Sequence, residues 1–257
     1  GLPQGDLETL ESFFDHLPSH FHAGKKADAT ERPGQRAFAH AVEATLAGKG
    51  FLLADAPTGT GKTLAYLAPM LLWSVRHEVR VGVSTYTRAL QEQAFFREVP
   101  RALEILRQSG VEEEDLPRIC MLKGRANYLC LHRLEVAEGA MDMYSAPRIR
   151  AVREWAKTTQ TGDIGEFGDP SDGDPIWPRI TSTTDNCLGT ECPLYDKCWV
   201  LHARREAQAA DLVIANHYLL FADLTLRESG FGEVLPGADA IILDEAHKLP
   251  DIAGRFF

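Results

Sequence analysis

Asp55-Ala56-Pro57-Thr58-Gly59-Thr60-Gly61-Lys62-Thr63 lies between an apolar run of strand length, Gly50-Phe51-Leu52-Leu53-Ala54, and Leu64-Ala65-Tyr66-Leu67-Ala68-Pro69-Met70-Leu71-Leu72-Trp73, which has the pattern of a helix with a buried face. A strand, a glycine-rich loop and a helix in that order are the setting of a phosphate-binding loop. There, Thr58, Gly59, Thr60 and Gly61 let backbone N–H groups wrap phosphates at a helix N-terminus. Lys62 reaches the β and γ phosphates, and the Thr63 hydroxyl ligates magnesium. Ala56 stands where the general pattern has its first glycine, so the strict G-x-x-x-x-G-K-T form is not met. Far downstream, Asp244-Glu245-Ala246-His247 follows the apolar run Ala238-Asp239-Ala240-Ile241-Ile242-Leu243 and supplies the acidic partner that nucleotide-bound magnesium requires. Together the two motifs point to an NTP-driven machine.

The alternation continues on both sides of the loop. Gln35 to Leu46 reads as a helix ending at Gly48, Val79 to Ser84 as a strand, Arg88 to Gln108 as a helix, and Ile119 to Leu122 and Asp211 to Ala215 as further strands. Strand and helix in alternation imply an α/β fold with a parallel sheet. The pattern breaks over residues 124–205, which carry four cysteines, three tryptophans and the Gly/Asp/Pro-rich stretch Thr161 to Pro178. This segment is expected to be an inserted domain, dividing the core into 32–123 and 206–257. The acids Asp163, Glu166, Asp169, Asp172 and Asp174 fit a solvated loop better than a cation site. Residues 7–17 have helical apolar spacing, and 18–33 form a polar connector, so 1–31 is expected to be an N-terminal appendage.

With 257 residues and 44% hydrophobic content, the chain has ample material for a core. No apolar stretch approaches the roughly 18 residues of a membrane span, and no basic segment followed by an apolar one opens the chain. The expectation is a cytoplasmic protein without a membrane partner. A formal net charge of -10 excludes coating of nucleic acid by overall attraction, so any nucleic-acid site must be local. One candidate is residues 117–157, where Arg118, Lys123, Arg125, Arg133, Arg148, Arg150, Arg153 and Lys157 face Glu135, Glu138, Asp142 and Glu154, a local net of +4. A solvated basic face is the competing reading.

Of the five cysteines, Cys187, Cys192 and Cys198 form C-x4-C-x5-C, separated from Cys130 by a long insertion. An NTP-driven core belongs in a reducing compartment, which disfavours disulfides. Structural zinc usually takes paired knuckles, and only one close pair occurs, whereas a four-thiolate iron–sulfur cluster tolerates irregular spacing. Spacing alone leaves cluster, zinc and unligated thiols open. Cys120 lies in the short apolar run Arg118 to Leu122 and reads as a small core residue.

With these parts assembled, the chain resembles the iron–sulfur helicases of superfamily 2, the XPD/DinG family, and within it the DinG-like YoaA branch. The match runs through most of residues 32–257. It rests on Arg32-Pro33-Gly34-Gln35, the loop from Ala56 to Thr63, Ser84-Thr85-Tyr86-Thr87 with Gln91, and Lys123-Gly124-Arg125-Ala126-Asn127-Tyr128-Leu129-Cys130. It continues through Asp185 to Gly189, Cys192-Pro193, Ala215-Asn216-His217, Glu228 to Gly232, and Asp244 to Pro250.

The resemblance implies a RecA-like first motor domain, incomplete here, with an inserted cluster domain in which Cys130, Cys187, Cys192 and Cys198 hold a [4Fe-4S] cluster and Cys120 is the odd one out. It implies an ATP-dependent DNA helicase of 5'-to-3' polarity that takes ATP and Mg2+ and acts on single-stranded and forked DNA beside replication or repair proteins. By the same resemblance, Thr63 and Asp244 hold magnesium and Glu245 orients and deprotonates the attacking water. Arg32 and Gln35 contact the adenine, with helix capping the other reading for Gln35. His247 couples nucleotide state to the DNA site, with a structural hydrogen bond as the other reading. Thr85, Thr87, Arg88 and Gln91 line the single-strand groove, where capping by Thr87 competes. Lys123 and Arg125, beside the first cluster ligand, offer DNA a basic surface together with Tyr128 and Arg133. Because the chain ends ten residues after His247, a second motor half and its arginine finger are expected to be lacking, and nucleotide binding and hydrolysis by the chain alone to be weak. Two further readings stand beside this one: a zinc-stabilised nucleic-acid-binding module whose phosphate loop only senses nucleotide, and a protein-interaction fragment that recruits through residues 1–31 and the acidic loop.

Overall fold

The computed structural model describes residues 10–16, 33–57, 61–168, 174–230 and 233–257. Arg32, Thr58, Gly59 and Thr60, most of the 1–31 segment, Asp169, Asp172, and Phe231-Gly232 of a matched motif lie outside the described residues. The elements are α1 (10–16), α2 (Pro33–Gly48), α3 (Lys62–His77), β1 (Val81–Thr85), α4 (Arg88–Gln93), α5 (Val99–Gln108), β2 (Ile119–Met121), α6 (Leu131–Gly139), α7 (Ala146–Trp155), α8 (Trp177–Ile180), α9 (Trp199–Ala209), β3 (Leu212–Asn216), α10 (His217–Glu228), β4 (Ala240–Leu243) and α11 (Leu249–Ala253). By compactness they divide into two units, 1–121 with 209–257, and 122–208.

The first unit is a four-stranded parallel sheet in the order β2-β3-β1-β4 with helices packed against it. Every residue of β1 and β3 is buried, as in parallel strands covered on both faces. The register sets Ser84 opposite Ala215 on one side and Leu243 on the other, so the C-terminal ends of β1, β3 and β4 lie side by side. Helix α3 is buried along Leu64 to Leu72 and is central to the core, where Leu10, Phe13 and Phe14 of α1 are buried too. Residues 10–16 are therefore core material, where a peripheral segment was expected. Truncating a core leucine such as Leu67 to alanine would cost about 2–5 kcal/mol. A parallel sheet with flanking helices and a glycine loop at the start of α3 is the RecA-like α/β arrangement.

Two expectations fail here. Gly50 to Ala54 forms no strand: residues 50–57 are irregular, with Phe51 and Leu53 at 104% and 93% exposure. A strand exists only through a ladder to a neighbour, and among the described residues β1 is the only partner of β4 and no strand reaches Phe51. The helix expected over 88–108 is also interrupted, running as α4, a π-helical turn at Ala94–Glu98, then α5. Pro100 lacks the N–H that an α-helix would use, and the Val99 N–H reaches back to the Ala94 carbonyl, widening the turn ahead of the proline.

The second unit has its own core of Leu129, Leu134, Ala137, Ile149, Val152, Ile176, Trp177 and Ile180, contributed largely by α6, α7 and α8. Single β-bridges pair Tyr128 with Asp163 and Leu129 with Thr181. Beneath them, the Lys123 ammonium meets Asp163 Oδ2 at 2.5 Å, with the lysine side chain 3% exposed.

Candidate nucleotide site

Gly61 precedes α3 with φ of 77°, a left-handed conformation that glycine adopts without the steric cost other residues incur. Its carbonyl accepts the Ala65 N–H as the helix begins and also a hydrogen bond from the Gln35 amide at 2.8 Å. Gln35 is buried, so its amide nitrogen braces the loop's last turn. Lys62, the next residue, meets both acids of the distant motif: its ammonium lies 3.0 Å from Asp244 Oδ1 and hydrogen-bonds Glu245 Oε1, across 183 positions of sequence. Burial works against the charged form of Lys62, yet the two carboxylates outweigh it and hold its pKa above the ordinary lysine value. The same lysine holds Glu245 below the usual carboxylate range.

Tyr66, one turn along α3, donates from its hydroxyl to Asp244 Oδ2 at 3.4 Å. A buried tyrosine thus steadies Asp244 from the helix that begins at Lys62. Burial first, then the Asp244 charge, raises the pKa of Tyr66 and keeps it a neutral donor.

Asp244 leaves the end of β4 with its N–H on the Ser84 carbonyl at 2.9 Å. Glu245 follows at φ 55°, one of three non-glycine residues in the left-handed region among the described residues. His247 is 64% exposed in the short turn Ala246–Lys248, with Nδ1 3.6 Å from Glu245 Oε2. Another histidine is placed far more deeply. His217 is wholly buried, with Nδ1 2.7 Å from the Ser84 hydroxyl and Nε2 2.7 Å from the Asp244 carbonyl. Sequence reasoning gave neither Tyr66 nor His217 a role. The available signal for His217 was its position directly after an apolar strand, at the carboxyl end of a parallel sheet where ligands gather.

The segment expected to hold single-stranded DNA is largely committed within the fold. Thr85 is buried with its hydroxyl on the Thr87 carbonyl, and Thr87 caps α4 by accepting the Leu90 N–H at 3.2 Å. Gln91 is wholly buried and donates to the Ile214 carbonyl of β3, which removes it from a DNA-facing set. Arg88 alone of the four is exposed. Tyr86 packs under the Lys248 ammonium, 5.6 Å from the ring centre, which ties this segment to the turn after Glu245. Lys123 is corrected in the same way as Gln91: its buried ammonium faces Asp163, because a lysine drawn into a core needs an acid beside it.

In the second unit, the two short 3-10 turns Gly189–Glu191 and Tyr195–Lys197 deliver Cys192 and Cys198, while Cys130 opens α6 with its N–H on the Ile180 carbonyl. Burial raises the Cys130 thiol, and the nearby Cys198 and Cys192 raise it further. Burial opposes ionisation of Cys187 as well, but the Gly189 N–H and the Arg125 guanidinium outweigh it and bring this thiol below its ordinary value. Arg125 also reaches the Thr183 carbonyl at 3.4 Å. None of the five cysteines is in a disulfide, and Cys120 is buried in β2. Among the described residues, no group of three or more His, Cys, Asp or Glu side chains is arranged to hold a metal ion. No described helix is long and apolar enough to cross a membrane.

Comparison with known proteins points to a helicase family. Residues 33–112 match the DEAD/DEAH box helicase family. The chain is 44% identical over 229 residues to the ATP-dependent DNA helicase YoaA of Haemophilus influenzae, covering 88% of this chain and 34% of that protein. It is 43% identical to YoaA of Escherichia coli over the same length and 34% identical over 239 residues to the ATP-dependent helicase DinG of Mycobacterium tuberculosis. The chain spans about a third of the length of these relatives, 34% to 35%.

Proposed function

We propose, from the premise that this chain belongs to the DinG-like family of DEAD/DEAH-box helicases, that it forms the nucleotide-binding part of an ATP-dependent DNA helicase. The observation that carries the reading is the meeting of Lys62 with Asp244 and Glu245. Phosphoryl transfer needs positioning and charge stabilisation above all. Lys62 neutralises phosphate charge, which requires ATP to draw its ammonium away from the two carboxylates. Thr63, beside Lys62 at the start of α3, and Asp244, which Lys62 meets, are the residues that would hold magnesium, whose charge screens the phosphate oxygens. Glu245, kept ionised by its low pKa, is suited to orient the attacking water and accept its proton.

At the finer level, the reading is translocation of 5'-to-3' polarity on single-stranded DNA and unwinding of forks in replication or repair, with the exposed Arg88 and the half-buried Arg125 as basic side chains that would face DNA. It includes a [4Fe-4S] cluster on Cys130, Cys187, Cys192 and Cys198. Four thiols in one unit, none in a disulfide and with Cys192 and Cys198 near enough to Cys130 to raise its thiol, suit that chemistry. The cluster would order the inserted segment.

The test uses the full-length protein. DNA-stimulated ATP hydrolysis is expected, with Lys62→Ala abolishing it, and a fork with a 5' single-stranded tail should be unwound in preference to one with a 3' tail. Anaerobic protein should be brown, with near-stoichiometric iron and sulfide. Retained hydrolysis in Lys62→Ala would refute the nucleotide site. Colourless zinc protein would refute the cluster and favour the zinc-stabilised module.

A further inference from the structure

We propose that His217 is a positioning residue for ATP hydrolysis: it fixes the Asp244–Glu245 peptide so that Glu245 is held in its left-handed conformation with its carboxylate in the site. The proposal rests on the reading of Lys62, Asp244 and Glu245 as a hydrolytic centre.

The hydrogen-bond roles are set by the partners. The Asp244 carbonyl can only accept, so Nε2 of His217 carries the proton and donates to it. In the neutral ring Nδ1 then accepts, and the Ser84 hydroxyl donates to it. Ser84 also accepts the Asp244 N–H through its own carbonyl. Ser84, His217 and Asp244 therefore close a ring of three hydrogen bonds, each near its ideal length.

Through Asp244, the ring constrains Glu245. The Asp244 carbonyl and the Glu245 N–H belong to one rigid peptide plane. His217 holds the oxygen edge of that plane, and Asp244 Oδ1 accepts the N–H on its other edge at 3.0 Å. Glu245 leaves the plane at φ 55°, a conformation that a side chain with a Cβ adopts only where its surroundings over-determine it. Release of the oxygen edge lets the peptide rotate toward ordinary φ, which swings the Glu245 carboxylate off the line of attack. His217 is itself rigid: it is the first residue of the 12-residue helix α10, and Asn216 caps that helix by accepting the Leu219 N–H. Its hydrogen bonds go to Ser84 and Asp244, and it acts through Glu245.

In the full-length protein with saturating single-stranded DNA, His217→Ala is expected to lower kcat for ATP about tenfold to a hundredfold, the scale of a misplaced reacting group, with KM for ATP and affinity for DNA nearly unchanged. His217→Gln keeps an amide donor for the Asp244 carbonyl and is expected to recover most of the lost kcat. Ser84→Ala removes only the bond that orients the ring and should lower kcat by a smaller factor, again without moving KM. A residue that merely stabilises the fold would lower the melting temperature, and glutamine would not rescue turnover. Unchanged kcat in His217→Ala, or no recovery in a folded His217→Gln, overturns the proposal. If His217→Ala does not fold, unchanged kcat in Ser84→Ala overturns it. Lys62→Ala separates the two readings: if it still hydrolyses ATP, the hydrolytic centre itself is misassigned, whereas an inactive Lys62→Ala beside a fully active His217→Ala refutes only the role of His217.

Discussion

Replacing Asp163 with alanine would take from the buried Lys123 ammonium its carboxylate partner, and the cost should be graded by what each substitution leaves in place. Lys123 is 3% exposed and Asp163 is 12% exposed, with nitrogen and oxygen 2.5 Å apart. Breaking a buried pair from one side costs up to about 3–5 kcal/mol, because the remaining charge loses its acid. Asp163 Oδ1 also accepts the Gly165 N–H as the cap of a short turn, and losing that bond adds about 1 kcal/mol. Asp163→Asn retains the cap and should fall short of the alanine loss by that amount. Lys123→Met should cost less than either, since the remaining carboxylate keeps the Gly165 N–H and some contact with water. The double variant Lys123→Met/Asp163→Ala should recover most of the loss, as an ion pair replaced by apolar groups is often nearly neutral. Urea unfolding followed by tryptophan fluorescence suits the measurement, because Trp155, Trp177 and Trp199 belong to the second unit and only Trp73 to the first. Affinity of Lys123→Met for single-stranded DNA should match the parent protein's. A double variant as unstable as Asp163→Ala, or a clear loss of DNA affinity in Lys123→Met, would refute the assignment of this lysine to the interior.

Three other outcomes are expected. The pKa of His217 lies below the usual imidazole value of 6.5, because burial disfavours the cation more than the Asp244 carbonyl and the Asp244 and Glu245 carboxylates favour it. The unfolded chain therefore binds the proton first as pH falls below 6.5, and this part of the stability is complete above that pH and declines beneath it by up to about 1.4 kcal/mol per pH unit; His217→Gln should flatten the slope in urea titrations. Glu245 titrates in a lower window, below the ordinary carboxylate value, so the two effects separate. Gly162→Ala should destabilise the second unit by about 2–5 kcal/mol in the same fluorescence assay, since a Cβ there would overlap the Trp199 ring at a φ of +67°. Phe51→Ser with Leu53→Asp should reduce self-association of the 257-residue chain in light scattering without changing its melting temperature, because both side chains are exposed and the β4 edge carries the exposed Ile241 and Leu243.

Local chemistry alone determined a good deal about this protein. The glycine loop ending at Gly61 marks the start of α3, Thr87 offers a cap for α4, and the strand patterns over 79–84 and 211–215 mark β1 and β3. Each of these depends on neighbours a few residues away. Tertiary structure decided whatever depends on which strands lie side by side. Pairing of β4 with β1, although β4 comes last in the chain, carries Asp244 and Glu245 to Lys62, and the lack of a ladder for Phe51 to Leu53 leaves an apolar run irregular. Lys123 and Gln91 look like surface residues by type, yet one finds an acid and the other a backbone carbonyl inside the fold. His217 shows the same limit from the opposite side: its role comes from Ser84 and Asp244, 133 and 27 residues away, and no local pattern encodes a hydrogen-bond partner at that distance.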